Sequence, residues 1–341
     1  MSTTPPFTLT PVTLTLCTQI AERVGRIAVL EEQSRTLHLR RLSRIRTVQG
    51  SLAIEGNTLS ESQITAILDG KRVLAPPKEI QEAHNALSAY DHLDKWYPHS
   101  EADLLAAHSC LMAGLLPDAG RYRQRGVGVM SGEQVVHMAP PASRVPLLMH
   151  NLLVWLQGTD VHPLIASSVF HYEFEFIHPF SDGNGRVGRL WQTLILSRWQ
   201  PLFAYIPVES LVHQHQQDYY AAIRQSTAAS DSSSFVLFRL ERILEAIDSV
   251  ATERSSPHDA PQVTPQVAAL LRTMRGEMSR DQIMTHLNLS DRKSFVHRYL
   301  QPALKQGLIE MTLPDKPRSR LQRYRLTAAG RALAAEKSQG V

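Results

Sequence analysis

His178-Pro179-Phe180-Ser181-Asp182-Gly183-Asn184-Gly185-Arg186-Val187-Gly188-Arg189 joins two strongly apolar stretches of the chain, and the rest of the sequence is read outward from it. Pro163 to Ile177 repeats apolar residues at helical spacing, and Pro179 ends that helix near His178, because the residue before a proline is pushed out of the α region. Asp182-Gly-Asn-Gly is turn chemistry, since glycine and asparagine tolerate positive φ. Val187 to Trp199 then reads as a second helix. The turn therefore delivers the chain to a helix N-terminus, where outward-pointing N–H groups form a nest for an anion. Arg186 and Arg189 lie three apart and share a face of the first turns. The helix dipole disfavours arginine there, so two of them imply an anion that offsets the cost. Asp182 is a hard oxygen donor suited to Mg²⁺, which takes one or two carboxylates plus phosphate oxygens. His178 is the group of the loop that titrates near neutrality and can remove a proton. The set suits a polyphosphate. A competing arrangement is a metal centre on His171, Glu175 and His178, which fall at i, i+4 and i+7. Pro179 takes His178 out of regular helix, and that arrangement leaves the arginines and the Gly-Asn-Gly turn without a role.

The string resembles the signature of the Fic domain, His-x-Phe-x-Asp/Glu-Gly-Asn-Gly-Arg-x-x-Arg, with no departures. Gly120-Arg-Tyr-Arg123 is similar to the segment that precedes the target-docking flap of Fic proteins, and Val136-His-Met-Ala-Pro-Pro141 to the end of that flap. Roughly residues 40 to 225 are Fic-like in order. The resemblance implies an enzyme that moves AMP from ATP, with Mg²⁺, onto a Ser, Thr or Tyr hydroxyl of a protein, with the chain itself among the candidate targets. On this chain it makes His178 the base and Asp182 the Mg²⁺ ligand. Gly183, Asn184, Gly185 and Arg186 become the phosphate cradle, Arg189 the γ-phosphate ligand and Phe180 the buried anchor. Val135, Val136, His137 and Met138 become the docking edge. Tyr219 and Tyr220 are candidates for the adenine pocket, with packing an equal alternative.

Ser51-Leu-Ala-Ile-Glu55-Gly56 is similar to the Fic inhibitory pattern, Ser/Thr-x-x-x-Glu-Gly/Asn. The residues agree with a restraint. Leu37 to Ile54 reads as a basic amphipathic helix closed by Gly56, a good residue for the position after a helix. Glu55 at its C-terminus opposes the dipole, which is reasonable where a cation such as Arg189 compensates. Ser51 and Glu55 are thus expected to hold Arg189 away from ATP. In some Fic relatives the same glutamate supports the reverse reaction, removal of AMP, and that alternative stays open.

Outward from these motifs the chain is expected to be mainly α, a Fic-type helical bundle with a small β-hairpin and a C-terminal winged helix-turn-helix. Helical spacing runs through Leu14–Arg35, Leu37–Ile54, Glu61–Leu68, Lys78–Trp96 and Ala102–Gly114, then Arg144–Leu156, His213–Ser226 and Phe235–Thr252. Ser60-Glu-Ser-Gln63 is a capping box. Val127 to Met138 reads as a hairpin turning at Ser131-Gly-Glu133, whose free edge suits an added target strand. The expected division is 1–115 for the N-terminal helices, 116–254 for the catalytic core, 255–265 for a polar Pro-containing linker and 266–341 for the last domain.

Residues 262–341 carry 14 Lys/Arg against 6 Asp/Glu, a net of +8, and leave −4 on the rest of the chain. Their order is helix, helix, turn, helix and two short strands around residues 314–321. Arg292, Lys293, Arg298 and a basic wing are candidates for DNA phosphates, with a protein-docking or dimerising role as the alternative. A nucleotide-sensing DNA-binding regulator is the second function class, and a homodimer is compatible with either. With 341 residues and the two cysteines Cys17 and Cys110, no disulfide framework is implied and a reducing, cytoplasmic setting is expected. No apolar run is long enough to span a membrane.

Overall fold

The structure is a computed structural model that describes residues 4–33, 37–131, 134–255, 264–313, 319, 321–327, 330–331 and 333–334. It forms two compact units, residues 1–251 and 252–341. The expected linker falls largely on 256–263, and the centre of the expected wing on 314–318 and 320; both lie outside the described residues.

The first unit is helical: α1 (Pro11–Gln33), α2 (Leu37–Ile54), α3 (Glu61–Leu68), α4 (Pro77–Asp91) and α5 (Glu101–Leu111) precede a hairpin of β1 (Gly128–Ser131) and β2 (Gln134–Met138). Then come α6 (Val145–Gly158), α7 (Pro163–Ile177), α8 (Asn184–Trp199), α9 (Val208–Gln214), α10 (Gln216–Ala229) and α11 (Ser233–Ser255). One hydrophobic core runs from Ile20 on α1 to Ile247 on α11. At its centre α7 packs on α8, and α8 is buried from Asn184 almost without break to Leu196. A helix buried on nearly every side can hold arginines only if they are paired, and this shapes the site below.

Several element bounds differ from the sequence expectation, three of them for a visible local reason. α8 begins at Asn184 rather than Val187, because Gly183 takes φ +83° and lets the turn itself become the first helical turn. The expected helix Lys78–Trp96 stops at Asp91; the His92 N–H bonds Ala89 O, three back, and a short 3₁₀ turn Leu93–Lys95 follows. The expected helix His213–Ser226 is broken at His215 into α9 and α10. The capping box is present, with Ser60 Oγ accepting the Gln63 N–H and the Gln63 side chain accepting the Ser60 N–H.

α2 is locked in place along its length. The Ser210 hydroxyl donates to Arg46 O at 2.9 Å and the Gln216 amide donates to Ile54 O at 2.8 Å. Between them Gly50 lets the backbones of α2 and α9 touch: a Cβ there would stand 2.5 Å from Ser210 N and 2.6 Å from the Glu209 carbonyl carbon. Gly50→Ala is therefore expected to force the helices apart at a cost of about 1–3 kcal/mol, read as a lowered urea midpoint with unchanged m-value; an unaltered midpoint would remove this account of Gly50. α2 ends in a Schellman arrangement: the Asn57 N–H reaches Leu52 O at 3.2 Å and the Gly56 N–H reaches Ala53 O at 3.0 Å, with Gly56 at φ +88°. That places Glu55 as the last residue of the turn.

β1 and β2 pair antiparallel as Gly128↔Met138, Val129↔His137, Met130↔Val135 and Ser131↔Gln134, with Val136 as the extra residue of a bulge. The tip, residues 132–133, lies outside the described residues. The hairpin is a two-stranded sheet, so its outer edges face no further strand among the described residues.

The second unit contains α12 (Pro265–Thr273), β3 (Met278–Ser279), α13 (Arg280–His286), and α14 (Arg292–Phe295), which runs through a π turn, Val296–Leu300, into α15 (Gln301–Lys305). Pro302 offers no N–H to the carbonyl four residues back, a known cause of a widened turn. β4 (Ile309–Met311) and β5 (Arg323–Leu326) complete an antiparallel sheet of order β3-β5-β4. Val267, Leu270, Ile283, Phe295, Ala303 and Leu308 form its own core. No helix among the described residues is long and apolar enough to cross a membrane.

Candidate active site

His178 ends α7 in the left-handed conformation, φ 50° and ψ 62°, unusual for a residue with a side chain. Such strain persists only where the surroundings over-determine it, and here they do. Arg123, 2% exposed, donates from Nε to His178 O at 2.7 Å, and from its Nη atoms to Arg125 O, Pro140 O and Ile177 O at 2.8, 2.6 and 3.3 Å. Its own backbone N–H bonds Pro179 O at 2.9 Å. Phe180 is fully buried and stacks on the His108 ring at 3.7 Å. His108 Nδ1 accepts the Gly120 N–H at 2.8 Å, so Nε2 carries the proton and donates to Asp182 O at 3.0 Å. Burial lowers the pKa of His108 and keeps it in this neutral form. The Asn184 amide clasps the loop from within, accepting the Phe180 N–H at 2.9 Å and donating to Phe180 O at 3.0 Å.

The charged groups then fall into two sets. Asp182 is half exposed; its Oδ1 accepts the Gly183 N–H at 2.6 Å and Arg186 Nη2 at 3.1 Å. Arg186 is buried and also reaches Glu82 Oε1 on α4 at 3.2 Å, while Glu82 Oε2 takes the Asn57 amide at 2.9 Å. Arg189, 1% exposed, is held entirely by the end of α2. It donates from Nε to Ser51 Oγ at 3.1 Å and from Nη2 to Ser51 O at 3.0 Å and Glu55 Oε1 at 2.7 Å. Burial, the largest single influence, opposes the Arg189 charge, but Glu55, Tyr219 and Glu209 together outweigh it and raise the pKa. Gly185 makes this pairing possible: a Cβ there would collide with Glu55 Oε1 and stand 2.8 Å from Arg189 Nη1. The Glu55 carboxylate thus sits against the N-terminal turn of α8, where the sequence calls for an anion.

His171 is buried, donates from Nδ1 to Gln192 Oε1 at 2.7 Å and accepts the Tyr219 hydroxyl at Nε2, 3.3 Å away. Burial, the largest influence, drives its pKa to about 3, so it is neutral. His171, Glu175 and His178 do not converge as a metal centre; no group of three or more such ligands is gathered among the described residues. Tyr219, 2% exposed, belongs to the aromatic core beside Phe235, whereas Tyr220 is half-buried at its edge. Val135 to Met138 lie on β2, which runs beside α10.

Comparison with known proteins agrees with this geometry. The Fic/DOC family model matches residues 97–196, and the model "Filamentation induced by cAMP protein Fic-like, C-terminal domain" matches 265–327. A solved Fic family protein from Desulfovibrio desulfuricans G20 is 52% identical, with a TM-score of 0.75 over 96% of this chain and 99% of that one. The chain belongs to the Fic family. Two curated relatives carry the name Protein adenylyltransferase Fic. That of Nematostella vectensis is 32% identical over 201 residues, 55% of this chain and 44% of the relative. That of Aedes aegypti is 30% identical over 229 residues, 62% and 43%. The chain spans less than half the length of these relatives. Fic-1 from C. elegans, 24% identical with a TM-score of 0.56 over 72% of this chain and 76% of that one, shares the fold.

The Fic loop therefore rests on two residues to which the sequence assigns no role, Arg123 and His108. Both act through backbone carbonyls, which leave no trace in a side-chain pattern. Arg123→Met is expected to leave four carbonyls without their donor and to destabilise the protein by about 3 kcal/mol. Chemical denaturation measures this, and a loss below about 0.5 kcal/mol, within the range of a neutral surface change, would contradict the role given to Arg123.

Proposed function

We propose that this Fic protein is an autoinhibited protein adenylyltransferase that transfers AMP from ATP to a Ser, Thr or Tyr hydroxyl of a protein, itself included. The observation that carries the reading is the Glu55 carboxylate on Arg189 and Gly185, an anion of the protein's own in the place of a phosphate. The names of the curated relatives support the chemistry.

In this reading the nucleotide displaces Glu55 and its terminal phosphate takes Arg189. The N–H groups of the Gly183–Gly185 turn meet the bridging phosphates. His178 removes the proton of the target hydroxyl; the hydroxyl oxygen bonds to the α-phosphorus, the bond from phosphorus to the bridging oxygen breaks, and pyrophosphate leaves. Positioning and charge neutralisation supply the acceleration. Asp182 is a half-exposed carboxylate beside the phosphate turn, paired with Arg186 through Oδ1, a hard oxygen donor that fits a Mg²⁺ arriving with the nucleotide. When bound, the ion would neutralise charge on the phosphates. The hairpin edge would receive the target as an added strand.

The second unit, with its helix-strand-helix-helix-strand-strand order, fits a winged helix. Its net positive charge favours nucleic acid, although Arg292 is paired with Asp281 and Arg325 with Glu310 and Glu277. A gel shift of the full chain at several salt concentrations tests this second reading. The primary test is ATP labelled at the α- or the γ-phosphorus, incubated with Glu55→Gly protein and Mg²⁺. Protein labelled from the α-position alone supports the proposal. Label from the γ-position makes it a kinase, and no label from either position counts against transfer and directs attention to removal of AMP or nucleotide sensing.

A further inference from the structure

Behind His178 lies a carboxylate that the mechanism above leaves unused. Glu175 is on the last turn of α7, its side chain 11% exposed. Its Oε1 is buried with no hydrogen-bond partner, and so is His178 Nδ1. Glu175 Oε2 stands 4.0 Å from that nitrogen. The space for the carboxylate comes from Gly188 on α8, where a Cβ would stand 3.0 Å from Glu175 Oε1 and 3.1 Å from the His171 ring.

His171 is the nearest other candidate to serve Glu175, with Nε2 3.7 Å from Oε1. It has no proton to give there. Its Nδ1–H is spent on Gln192, and its Nε2 lone pair receives Tyr219. A carboxylate oxygen kept buried without a donor is costly, and such groups call for an explanation. His178 Nδ1 is itself without a partner and stands 4.0 Å from the other oxygen, Oε2, so a turn of the carboxylate or ring joins them, in competition with the Glu175 carbonyl for the same nitrogen.

We propose that Glu175 is the positioning residue of the base: it takes the Nδ1–H of His178, fixes the tautomer that leaves Nε2 free to face the target hydroxyl, and stabilises the imidazolium formed on attack. The step is a rotation of the ring or carboxylate that shortens 4.0 Å to hydrogen-bond length, as polar contacts in unliganded sites often tighten on substrate binding. The logic is that of any histidine base whose far nitrogen is held by a carboxylate. The other charged and titratable groups that bear on this pair are Arg123 beside the loop, Glu55 just after α2, Arg189 on α8, and Tyr219 and Tyr220 on α10. Burial raises the pKa of Glu175, while His178 and Arg189 act in the opposite direction.

This inference rests on His178 being the base, so its test has one arm independent of transfer. In the wild-type protein, ¹⁵N-histidine NMR should find neutral His178 protonated at Nδ1; protonation at Nε2 overturns the proposal whatever the enzyme does. Glu175→Gln keeps shape and removes charge. It should lower the NMR pKa of His178 by about one unit or more, because the carboxylate favours the charged ring. In a Glu55→Gly background the same change should lower kcat about ten- to a hundredfold, the scale on which outer partners of functional histidines act. KM for ATP should hold, and the acid limb of the pH–rate profile should move to lower pH. A merely structural Glu175 would lower activity with the limb in place, and that result refutes the role. If NMR shows the shift and no variant transfers AMP, the fault lies with the proposed function and not with the pairing.

Discussion

Glu55→Gly is expected to raise AMP transfer about 5- to 150-fold over wild type, the span of a coupling free energy of about 1–3 kcal/mol between two mutually exclusive occupants of one site. The competition is specific. In the proposed function Glu55 and the terminal phosphate of ATP both need Arg189, and the Glu55 carboxylate also fills the space above Gly185. Glycine removes the anion and leaves the Schellman turn intact, since Gly56 supplies the positive φ. The cost falls on the resting state. Arg189 is almost fully buried, and removing one partner of a buried pair costs up to about 3–5 kcal/mol. It keeps both bonds to Ser51, so the low end, about 3 kcal/mol, is expected. ATP should then raise the melting temperature of the variant more than that of wild type, because a ligand that binds the folded state stabilises it according to its affinity. Intact-mass spectrometry after incubation with ATP and Mg²⁺ reads the first effect, and thermal melts with and without ATP read the second. A variant no more active than wild type, with equal shifts by ATP, would remove Glu55 as the restraint.

The legible part of this site is the part that is contiguous. Loop 178–189 carries its chemistry on side chains within one turn, so residue types and spacing suffice. The pairing of Glu55 with Arg189 spans 134 positions in the chain, yet both ends announce themselves. One is an acid at a helix C-terminus and the other a base at a helix N-terminus, each wrong for its dipole. Two misfits of opposite sign invite each other. Arg123, His108 and Glu175 show no such misfit. The first two spend their donors on main-chain carbonyls, and Glu175 lies on a helix face where an acid is unremarkable until its burial is known. Gly50 is the reverse case. In sequence it is a flaw in a helix; in the fold it is the point where α2 and α9 meet. The shift of the α8 start from Val187 to Asn184 is by contrast local: Gly183 takes positive φ, and Asn184 clasps Phe180 four residues back.

The second large effect is expected at His178. In a Glu55→Gly background, replacing His178 should lower transfer about 10²- to 10⁴-fold, the usual contribution of a positioned general base, while ATP binding by calorimetry stays within a few-fold. The groups assigned to the phosphates belong to the turn and α8, so binding and proton removal separate. Alanine alone is a poor probe, because the residue sits at φ 50°, where alanine is strained. Asparagine tolerates that conformation and lacks a base, so His178→Asn should keep the stability that His178→Ala loses, with the same loss of rate. Equal loss in both variants assigns the effect to the imidazole, whereas recovery of transfer in the asparagine variant would assign it to the backbone that Arg123 holds. The pH dependence carries an independent sign. Burial, the largest influence, lowers the pKa of His178, with Glu175 pulling in the opposite direction. The neutral ring is the active form, so the acid limb of the unrestrained enzyme should lie below the value of an exposed histidine, with activity nearly level across neutral pH. A limb above that value would mean that the group titrating in the rate is not a buried histidine.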